Sequence, residues 1–432
     1  MNSTKTAKPF EIPKRQVWKA YLQVKRNSGS AGIDGISLED FEIKIGKNLY
    51  KLWNRMSSGS YHPQAVKLVE IPKAGQKGET RPLGIPTVLD RIAQMVAVNY
   101  LEPILEPIFH EDSYGYRPGK SAHDAVERAR RRCWRRDWVL DMDIRRFFDT
   151  IDHELLLKAL KRHTQERWVL LYIERWLKVP YQRSNGKSQA RDQGIPQGSV
   201  IGPILANLFM HYTFDEWMKR NYPDIQFERY ADDSICHCRS KQEAAQLQEA
   251  ISERLSQCGL SLNERKTKLV YCRDDDRRGH HENEQFDFLG FTFRARRSKN
   301  RWGKHFINFS PAISNKAKVR IGREIRSWNL QNRSDKSIED LARMFNAKLQ
   351  GYINYYGRFY KSALYPLFQS LNRRLSHWAS RKFKKLRRHK RRSEHWLGKV
   401  CYQNPNLFSH WRLGVRPPNP ENLGVAGIRR AV

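Results

Sequence analysis

Two adjacent carboxylates, Asp232 and Asp233, lie between two short apolar stretches of the chain. Ile225 and Phe227 precede them and Ile235 follows, a pattern typical of two strands joined by a tight turn. Carboxylates this close in space either raise one another's pKa or share a cation. A bare Asp-Asp pair is commonly just a solvated turn. Here the apolar flanks favour a site for a divalent metal.

A second acidic stretch lies upstream, where residues 139–144 alternate as a strand and place Asp141 and Asp143 on one face. A carboxylate from this strand and two from the turn can converge on two divalent cations. Such a site suits in-line displacement at phosphorus, because one metal activates an attacking 3′-hydroxyl and the other holds a triphosphate. Mg²⁺ is the natural choice, since it prefers oxygen ligands and shares them with substrate phosphates. The pattern alone leaves open whether Asp141 or Asp143 is the ligand.

A predicted hairpin precedes these acids. Residues 66–71 alternate as a strand, a polar turn follows, and the chain returns through 81–86. Lys73 and Arg81 place a cation at each rim, where they could clamp a triphosphate. Basic hairpins are also common as solvated surface, so this motif is weak on its own.

A third polar segment, residues 193–199, contains Gln197 between glycines that allow a ligand to approach the backbone closely. A helix is predicted after it at 203–218. Further amphipathic helices are predicted at 14–26, 88–109 and 241–257.

The loop at residues 27–35 is rich in glycine, serine and asparagine. It is either a simple connector or a loop whose N–H groups approach a phosphate backbone.

The charge of the chain points to a polyanionic partner. Its 432 residues carry 80 Lys and Arg against 45 Asp and Glu, a net charge of +35, which favours nucleic acid. The 12 Trp, 18 Tyr and 19 Phe argue against a simple basic tail. The six cysteines show no C-x-x-C pair and are predicted to be reduced thiols in a cytosolic protein. No signal peptide or membrane span is expected.

Past residue 300 the pattern becomes helical and strongly basic. Ser337 is predicted to cap a helix, and a longer helix is predicted near 363–390. The acidic run Asp274-Asp275-Asp276 has almost no apolar neighbours and is interpreted as a solvated loop rather than a metal cluster.

In order and spacing, the motifs resemble those of the group II intron-encoded reverse transcriptases, the maturase type, over about residues 15–400. The stretches that carry the resemblance are AGIDG, IPK…RPLGIPT…DR, YGYRPG, DMDIRRFFDTIDH, GIPQGSVIGPILAN, RYADD, GLSLNERKTK, FDFLGFTF and GYINYYGRF. The fold that this resemblance implies is α+β. A right-hand polymerase with fingers and an antiparallel palm sheet is followed by an α-helical thumb or maturase domain.

The resemblance also assigns roles residue by residue. It implies two Mg²⁺ ions at Asp143, Asp232 and Asp233, with Ile144 in the metal site. Asp141 does not fit, because the family has an aromatic residue five positions after its aspartate. The nucleotide-binding residues that it implies are Lys73, Arg81, Phe148 and Gln197. Lys266, in preference to Lys268, is expected to protonate the leaving pyrophosphate. The basic residues expected to contact nucleic acid are Arg373, Arg374, Arg381, Lys382, Lys385 and Arg388.

Phe148 is expected to exclude a 2′-hydroxyl and so to favour deoxynucleotides. Its alternative role is that of a core residue. If Phe147 and Phe148 were adjacent strand positions, they could not both face the same core.

The domains expected are an N-terminal extension at 1–60 whose loop touches template RNA, fingers and palm at 61–296, a thumb or maturase domain at 300–400, and a basic tail at 401–432. The chain ends at Val432 without paired cysteines or a nuclease histidine cluster, so cleavage of a target strand is not expected.

The activity expected is RNA-directed DNA synthesis by a retroelement protein that also assists splicing and mobility of its intron. Its partners would be template and intron RNA, a DNA primer or target, and dNTPs, in the cytoplasm or on the nucleoid of a bacterial-type cell. A retron-type or defence reverse transcriptase remains an alternative, as does an RNA-binding splicing factor without polymerase activity.

Overall fold

A computed structural model describes residues 8–72, 80–183, 185–277 and 279–418. The chain divides into two compact units, Met1–Tyr271 and Cys272–Val432. Lys73, one of the expected triphosphate ligands, lies outside the described residues, as do residues 419–432 of the expected tail at 401–432.

Helices and short strands alternate in the first unit. Its helices are α1 (Lys14–Asn27), α2 (Leu38–Ile43), α3 (Ile45–Ser58), α4 (Val88–Leu105), α5 (Ala122–Cys133), α6 (Phe147–Thr150), α7 (His153–Lys161), α8 (Arg167–Lys178), α9 (Gly202–Met210), α10 (Glu216–Asn221) and α11 (Lys241–Gln257). Its strands are β1 (Val66–Pro72), β2 (Thr80–Ile85), β3 (Trp138–Met142), β4 (Tyr181–Gln182), β5 (Ser188–Gln189), β6 (Gln226–Tyr230), β7 (Asp233–Cys238) and β8 (Lys268–Tyr271).

The second unit begins with three strands and continues as helices. They are β9 (Gln285–Phe288), β10 (Phe291–Lys299), β11 (His305–Ile313), α12 (Asn315–Ser327), α13 (Ile338–Tyr356), α14 (Tyr365–Lys382), α15 (Lys390–Gln403) and α16 (Ser409–Arg412). The rings of Phe286 and Phe293, which lie opposite each other on β9 and β10, stack with their centres 4.7 Å apart. This pair forms part of the apolar face of the sheet.

The sheet that positions the acidic residues has the strand order β6-β7-β3-β8 and is antiparallel throughout. This confirms the predicted antiparallel palm sheet. One of its faces packs on the core of the first unit, through side chains such as Leu140, Cys236 and Cys238. A second sheet contains the predicted hairpin, with β1 and β2 antiparallel and Ile71 opposite Arg81.

Several predicted helices are confirmed together with their sequence signals. Val17, Tyr21 and Val24 of α1 are buried, as their spacing indicated. Ser121 and Ser337 both cap helices through complete capping boxes.

The helix predicted at 203–218 is confirmed by α9 and α10, which are joined without a break by a π-helical turn, His211–Asp215. Two local predictions are wrong. The helix predicted near 363–390 ends at Lys382, because Phe383 adopts an extended conformation. Phe147 and Phe148 are not strand residues: they open the short helix α6, after Arg146 in a left-handed conformation with φ 49°.

All six cysteines are buried and carry free thiols. In the described part of the chain, no helix combines the length and apolar character that a membrane crossing requires.

Candidate active site

Three carboxylates meet at one edge of the palm sheet because of its register. Met142 lies opposite Ser234 in the β3–β7 pair, so Asp143, which follows β3, emerges beside the start of β7 at Asp233. Asp232 occupies the turn between β6 and β7, where Tyr230 pairs with Asp233. The sheet thus brings together three of the predicted site residues.

The turn that carries the acidic pair is tight. Ala231 has a φ of 59°, a left-handed conformation that a residue with a Cβ adopts at some cost. Gly115 lies against it, and a Cβ built on that glycine would come within 2.5 Å of the Ala231 nitrogen. The loop at residues 114–119 therefore supports the turn from outside the sheet, and only glycine fits at position 115.

The buried guanidinium of Arg229 also supports this turn. Arg229 donates to the Ala231 carbonyl at 3.1 Å and forms a two-pronged ion pair with Asp215 at 2.6 and 2.7 Å. Neither side chain of this pair is exposed. Asn207 accepts from Arg229 at 3.1 Å and donates to the Gly115 carbonyl at 2.7 Å, which ties the turn and the supporting loop together. This network was not identified from the sequence.

The electrostatics of the site reflect converging negative charge. Loss of solvation raises the pKa of Asp232, and Asp143 adds to the rise. Part of Asp233 is open to solvent, but the surrounding protein atoms weaken its solvation. This effect, followed by the charges of Asp232 and Asp143, raises the pKa of Asp233 to about 6. Lys266 and Arg81 act in the opposite direction on both groups.

Lys266 is in direct contact with the acidic cluster. Its ammonium lies 3.1 Å from both carboxylate oxygens of Asp143, and Asn263 donates to one of them at 2.9 Å. Lys268 instead lies in β8, where it pairs with Asp141. The structure therefore places Lys266 at the cluster, as the sequence analysis preferred.

Arg81 and Gln197, both predicted to contact the nucleotide, are brought together. The Arg81 Nε donates to the side-chain oxygen of Gln197, and the Gly84 N–H donates to the Gln197 carbonyl at 2.7 Å. Gly198 makes this approach feasible, since a Cβ there would come within 2.7 Å of the Gly84 carbonyl oxygen. The glycine thus admits close approach of the β2 backbone at Gly84.

The prediction that Phe147 and Phe148 cannot both face the same core is wrong. Phe147 and Phe148 lie on a helix, and both are buried in the same core, with their rings 5.1 Å apart. Phe148 is 8% exposed to solvent. Its helix lies against the segment with Gln197, because the Ile195 N–H donates to the Phe148 carbonyl at 2.7 Å.

Tyr116 is a candidate residue that was not predicted from the sequence, although it lies in the YGYRPG stretch that carries part of the family resemblance. Its side chain is 56% exposed, and its ring lies 6.2 Å from that of Tyr230. This contact places the phenol beside the acidic turn, where loss of solvation and then the charge of Asp232 raise the Tyr116 pKa. The neighbouring Arg117 fixes the loop by donating to Glu106 and to the carbonyls of His110 and Ser113.

The donor set fits a divalent cation that binds oxygen. Asp143, Asp232 and Asp233 would hold it, while Ile144 has a buried apolar side chain and could offer only its carbonyl oxygen. The fit is one of ligand chemistry and not of present arrangement: among residues 8–72, 80–183, 185–277 and 279–418, no three side chains of His, Cys, Asp or Glu are placed to hold a metal ion. The two oxygens of Asp143 already face Lys266. A metal ion would compete with that ammonium.

The other predicted site residues belong to the second unit. Arg373, Lys385 and Arg388 are exposed, and Arg374 is half-buried. Arg381 donates to Asn332 at 3.0 Å, and Lys382 donates to the carbonyls of Ser334 and Lys336 at 2.8 and 2.7 Å. Arg381 and Lys382 therefore also stabilise the C-terminal end of α14.

The loop at residues 27–35 is held by α4. Arg91 donates to the carbonyls of Ser28 and Ser30 at 3.4 and 2.8 Å, and its guanidinium fills the space beside Gly29.

Two family profiles match the chain. Residues 71–293 match the family described as reverse transcriptase (RNA-dependent DNA polymerase), and residues 319–396 match the group II intron, maturase-specific domain. Both domains imply binding of RNA.

Individual relatives agree with these profiles. Protein YkfC of Escherichia coli is 29% identical over 315 residues, covering 63% of this chain and 78% of the relative. The group II intron-encoded protein LtrA of Lactococcus lactis is 32% identical over 192 residues, covering 44% of this chain. The chain matches only 32% of the length of LtrA.

Among solved structures, apo telomerase from Candida tropicalis superposes with a TM-score of 0.41 at 15% identity, covering 57% of this chain and 59% of that one. The family profiles, which together span the palm sheet with its acidic turn and the helices of the second unit, decide the classification. The chain belongs to the family of group II intron reverse transcriptases and maturases.

Proposed function

We propose that this chain is an RNA-directed DNA polymerase of a group II intron, which copies RNA into DNA by two-metal nucleotidyl transfer and binds intron RNA to assist splicing and mobility. The observation that carries the proposal is the convergence of Asp143, Asp232 and Asp233 at one sheet edge. Clustered carboxylates are costly to maintain unless a cation or a reaction uses them, and the pKa values of Asp232 and Asp233 are raised accordingly.

The bound cations would be two Mg²⁺, which supply activation of a primer 3′-hydroxyl and neutralisation of the triphosphate. Asp143, Asp232 and Asp233 would hold them. Arg81 would bind the triphosphate, because its planar guanidinium presents paired donors to phosphate oxygens. Gln197 orients Arg81 by accepting from its Nε, which leaves the two terminal nitrogens of the guanidinium for the substrate. Lys73 is the other expected phosphate ligand.

Lys266 would act as general acid. As the bond between the α-phosphorus and the bridging oxygen breaks, its ammonium would donate a proton to the leaving pyrophosphate. Its contact with Asp143 keeps the ammonium beside the acidic cluster until then. Phe148 would limit access of a 2′-hydroxyl, a role that rests on its position five residues after Asp143.

The domains would divide this work. Residues 1–60 would contact template RNA through the loop at 27–35, residues 61–296 would form fingers and palm, and residues 300–400 would hold RNA through phosphate contacts. The expected basic contacts of that last domain are Arg373, Arg374, Arg381, Lys382, Lys385 and Arg388. The tail at 401–432 would add positive charge. The protein would work in the cytoplasm, on dNTPs and a DNA primer or target.

The test is primer extension on an RNA template with Mg²⁺ and dNTPs, for the wild type, Asp232→Asn and Asp224→Asn. Asp224 is an exposed aspartate in the turn that precedes β6, and it serves as the matched control. Full-length DNA from the wild type and the control, but not from Asp232→Asn, is the expected result. No product from any of the three, with RNA binding retained, would contradict the polymerase and favour a splicing factor. Sequencing the RNA that copurifies with the protein separates an intron partner from a retron.

A further inference from the structure

The long ribbon of β10 and β11 has two different sides. Its nine paired positions run from Phe291 opposite Ile313 to Lys299 opposite His305. Phe291 and Phe293 point to the apolar core, so the alternation of the strand sends Arg294 and Arg296 to the other side. The ribbon thus presents two arginines side by side away from the core.

Arg296 is fixed in position by neutral groups. It donates to the carbonyls of Ser310 and Thr292, both at 3.0 Å, and its guanidinium lies 5.5 Å from the centre of the Tyr360 ring. These contacts orient the side chain without balancing its charge. Burial, and then the charge of Arg294, lower the pKa of Arg296 to about 10, which reflects a cation without a compensating anion.

A third cation, Lys318, lies in the first turns of α12, which follows β11 directly with Ser314 as its N-cap. It is half-buried, and its pKa is lowered by burial and then by the charges of Arg296 and Arg294. Within the described residues, none of these three cations forms an ion pair, whereas cations elsewhere in this unit do so with Asp287, Asp340 and Glu324. Like charges held together in this way cost free energy, which binding of an external anion would recover.

We propose that Arg294, Arg296 and Lys318 form a binding site for phosphate groups of an RNA backbone. The site is distinct from the basic helices near residues 373–388. That the ligand is RNA rests on the proposed function, whereas the preference of the site for phosphate groups follows from its three cations. A fixed guanidinium together with an exposed arginine and a half-buried lysine is suited to a phosphodiester, because Arg presents a planar fork and Lys a point charge.

The experiment measures binding of a fluorescently labelled RNA hairpin to the full chain over a series of KCl concentrations. The variant Arg294→Gln/Arg296→Gln/Lys318→Gln is expected to reduce the slope of log K against log salt by about 2–3, since each phosphate contact contributes about 0.7–0.9. The matched control is Lys336→Gln/Arg343→Gln/Lys348→Gln, which removes three cations of the same unit that are already paired with carboxylates. Its slope should equal that of the wild type. Equal slopes for both triple variants would overturn the site.

The single variant Arg294→Gln tests the site even if the triple variant fails to fold, because Arg294 is exposed and its replacement should not disturb folding. Its slope should fall by about one, and an unchanged slope in a folded protein would also contradict the proposal. The assay needs no nucleotide incorporation, so a failure of the polymerase leaves it valid. A wild type that does not bind RNA would contradict this site and the proposed function together, whereas wild-type binding with unchanged variants overturns the site alone.

Discussion

The Lys266 ammonium contacts both carboxylate oxygens of Asp143 at 3.1 Å. Asp143 follows β3 and Lys266 precedes β8, and these strands are neighbours in the palm sheet, so the pair is a product of strand order. The lysine places a positive charge against Asp143 and acts to lower the pKa values of Asp232 and Asp233. One residue thereby has two expected effects: it competes with a cation for Asp143, and it is positioned to give up a proton.

The first prediction separates these two effects. Lys266→Gln should tighten binding of Mn²⁺, used as a probe for Mg²⁺, by about 2- to 5-fold, since partly exposed ion pairs contribute roughly 0.5–1 kcal/mol. It should also reduce turnover by about 100-fold, through loss of the general acid. Electron paramagnetic resonance measures the free Mn²⁺, and primer extension measures the rate. Lys268→Gln is the control. If that variant loses the rate instead, the assignment of the proton donor is reversed.

The second prediction concerns the contact between Arg81 and Gln197. Arg81→Gln should raise the KM for dNTP by about 10- to 100-fold, because a hydrogen bond to a charged group contributes about 1.5–3 kcal/mol. Single-nucleotide incorporation at varied dNTP concentration measures this effect. Arg183→Gln, which removes an exposed arginine beside Glu70 in the same sheet, should leave the KM unchanged. An equal rise in both variants would indicate a general loss of positive charge instead.

The elements of the fold could be predicted where the periodicity is local. The apolar stripe of α1, the alternation of β1 and the capping box before α5 are all contained within a few residues of sequence. The acidic cluster could also be anticipated, because an Asp-Asp turn and an alternating acidic strand are visible in the chain itself.

The contacts that organise the site could not be predicted in the same way, because they join distant segments. Lys266 and Asp143 are 123 positions apart, and Arg81 and Gln197 are 116 apart. Helix α6 begins only because Arg146 adopts a left-handed conformation, which no periodicity signals. The interpretation of Phe147 and Phe148 as strand residues failed for that reason.

The third prediction tests the buried pair beneath the acidic turn. Asp215→Leu should lower the free energy of unfolding by about 3–5 kcal/mol, because it leaves the charge of Arg229 buried and unpaired. Adding Arg229→Met should restore much of this loss but remove the donor to the Ala231 carbonyl. The double variant should therefore fold and bind RNA yet polymerise poorly. Urea unfolding and primer extension measure the two properties.

A suitable control for that pair is Glu216→Leu/Arg220→Met, whose ion pair is 3.5 Å long and largely exposed on the arginine side. It should change neither property appreciably. If the Asp215 and Arg229 double variant polymerises normally, the buried pair supports stability and does not position the turn.

The last prediction concerns the response of the second unit to pH. His410 is buried, its Nε2 lies 2.7 Å from the side-chain oxygen of Asn372, and its Nδ1 has no hydrogen-bond partner among the described residues. Burial lowers its pKa from 6.5 to about 3. The unfolded chain therefore binds the proton first, so the stabilisation is complete above pH 6.5 and is lost as the pH falls toward 3. At pH 5 the loss should be about 2 kcal/mol, and His410→Gln should abolish this component. Thermal unfolding at pH 7.5 and 5, with the exposed His305→Gln as control, measures the difference; parallel declines in all three proteins would show that His410 does not titrate in this range.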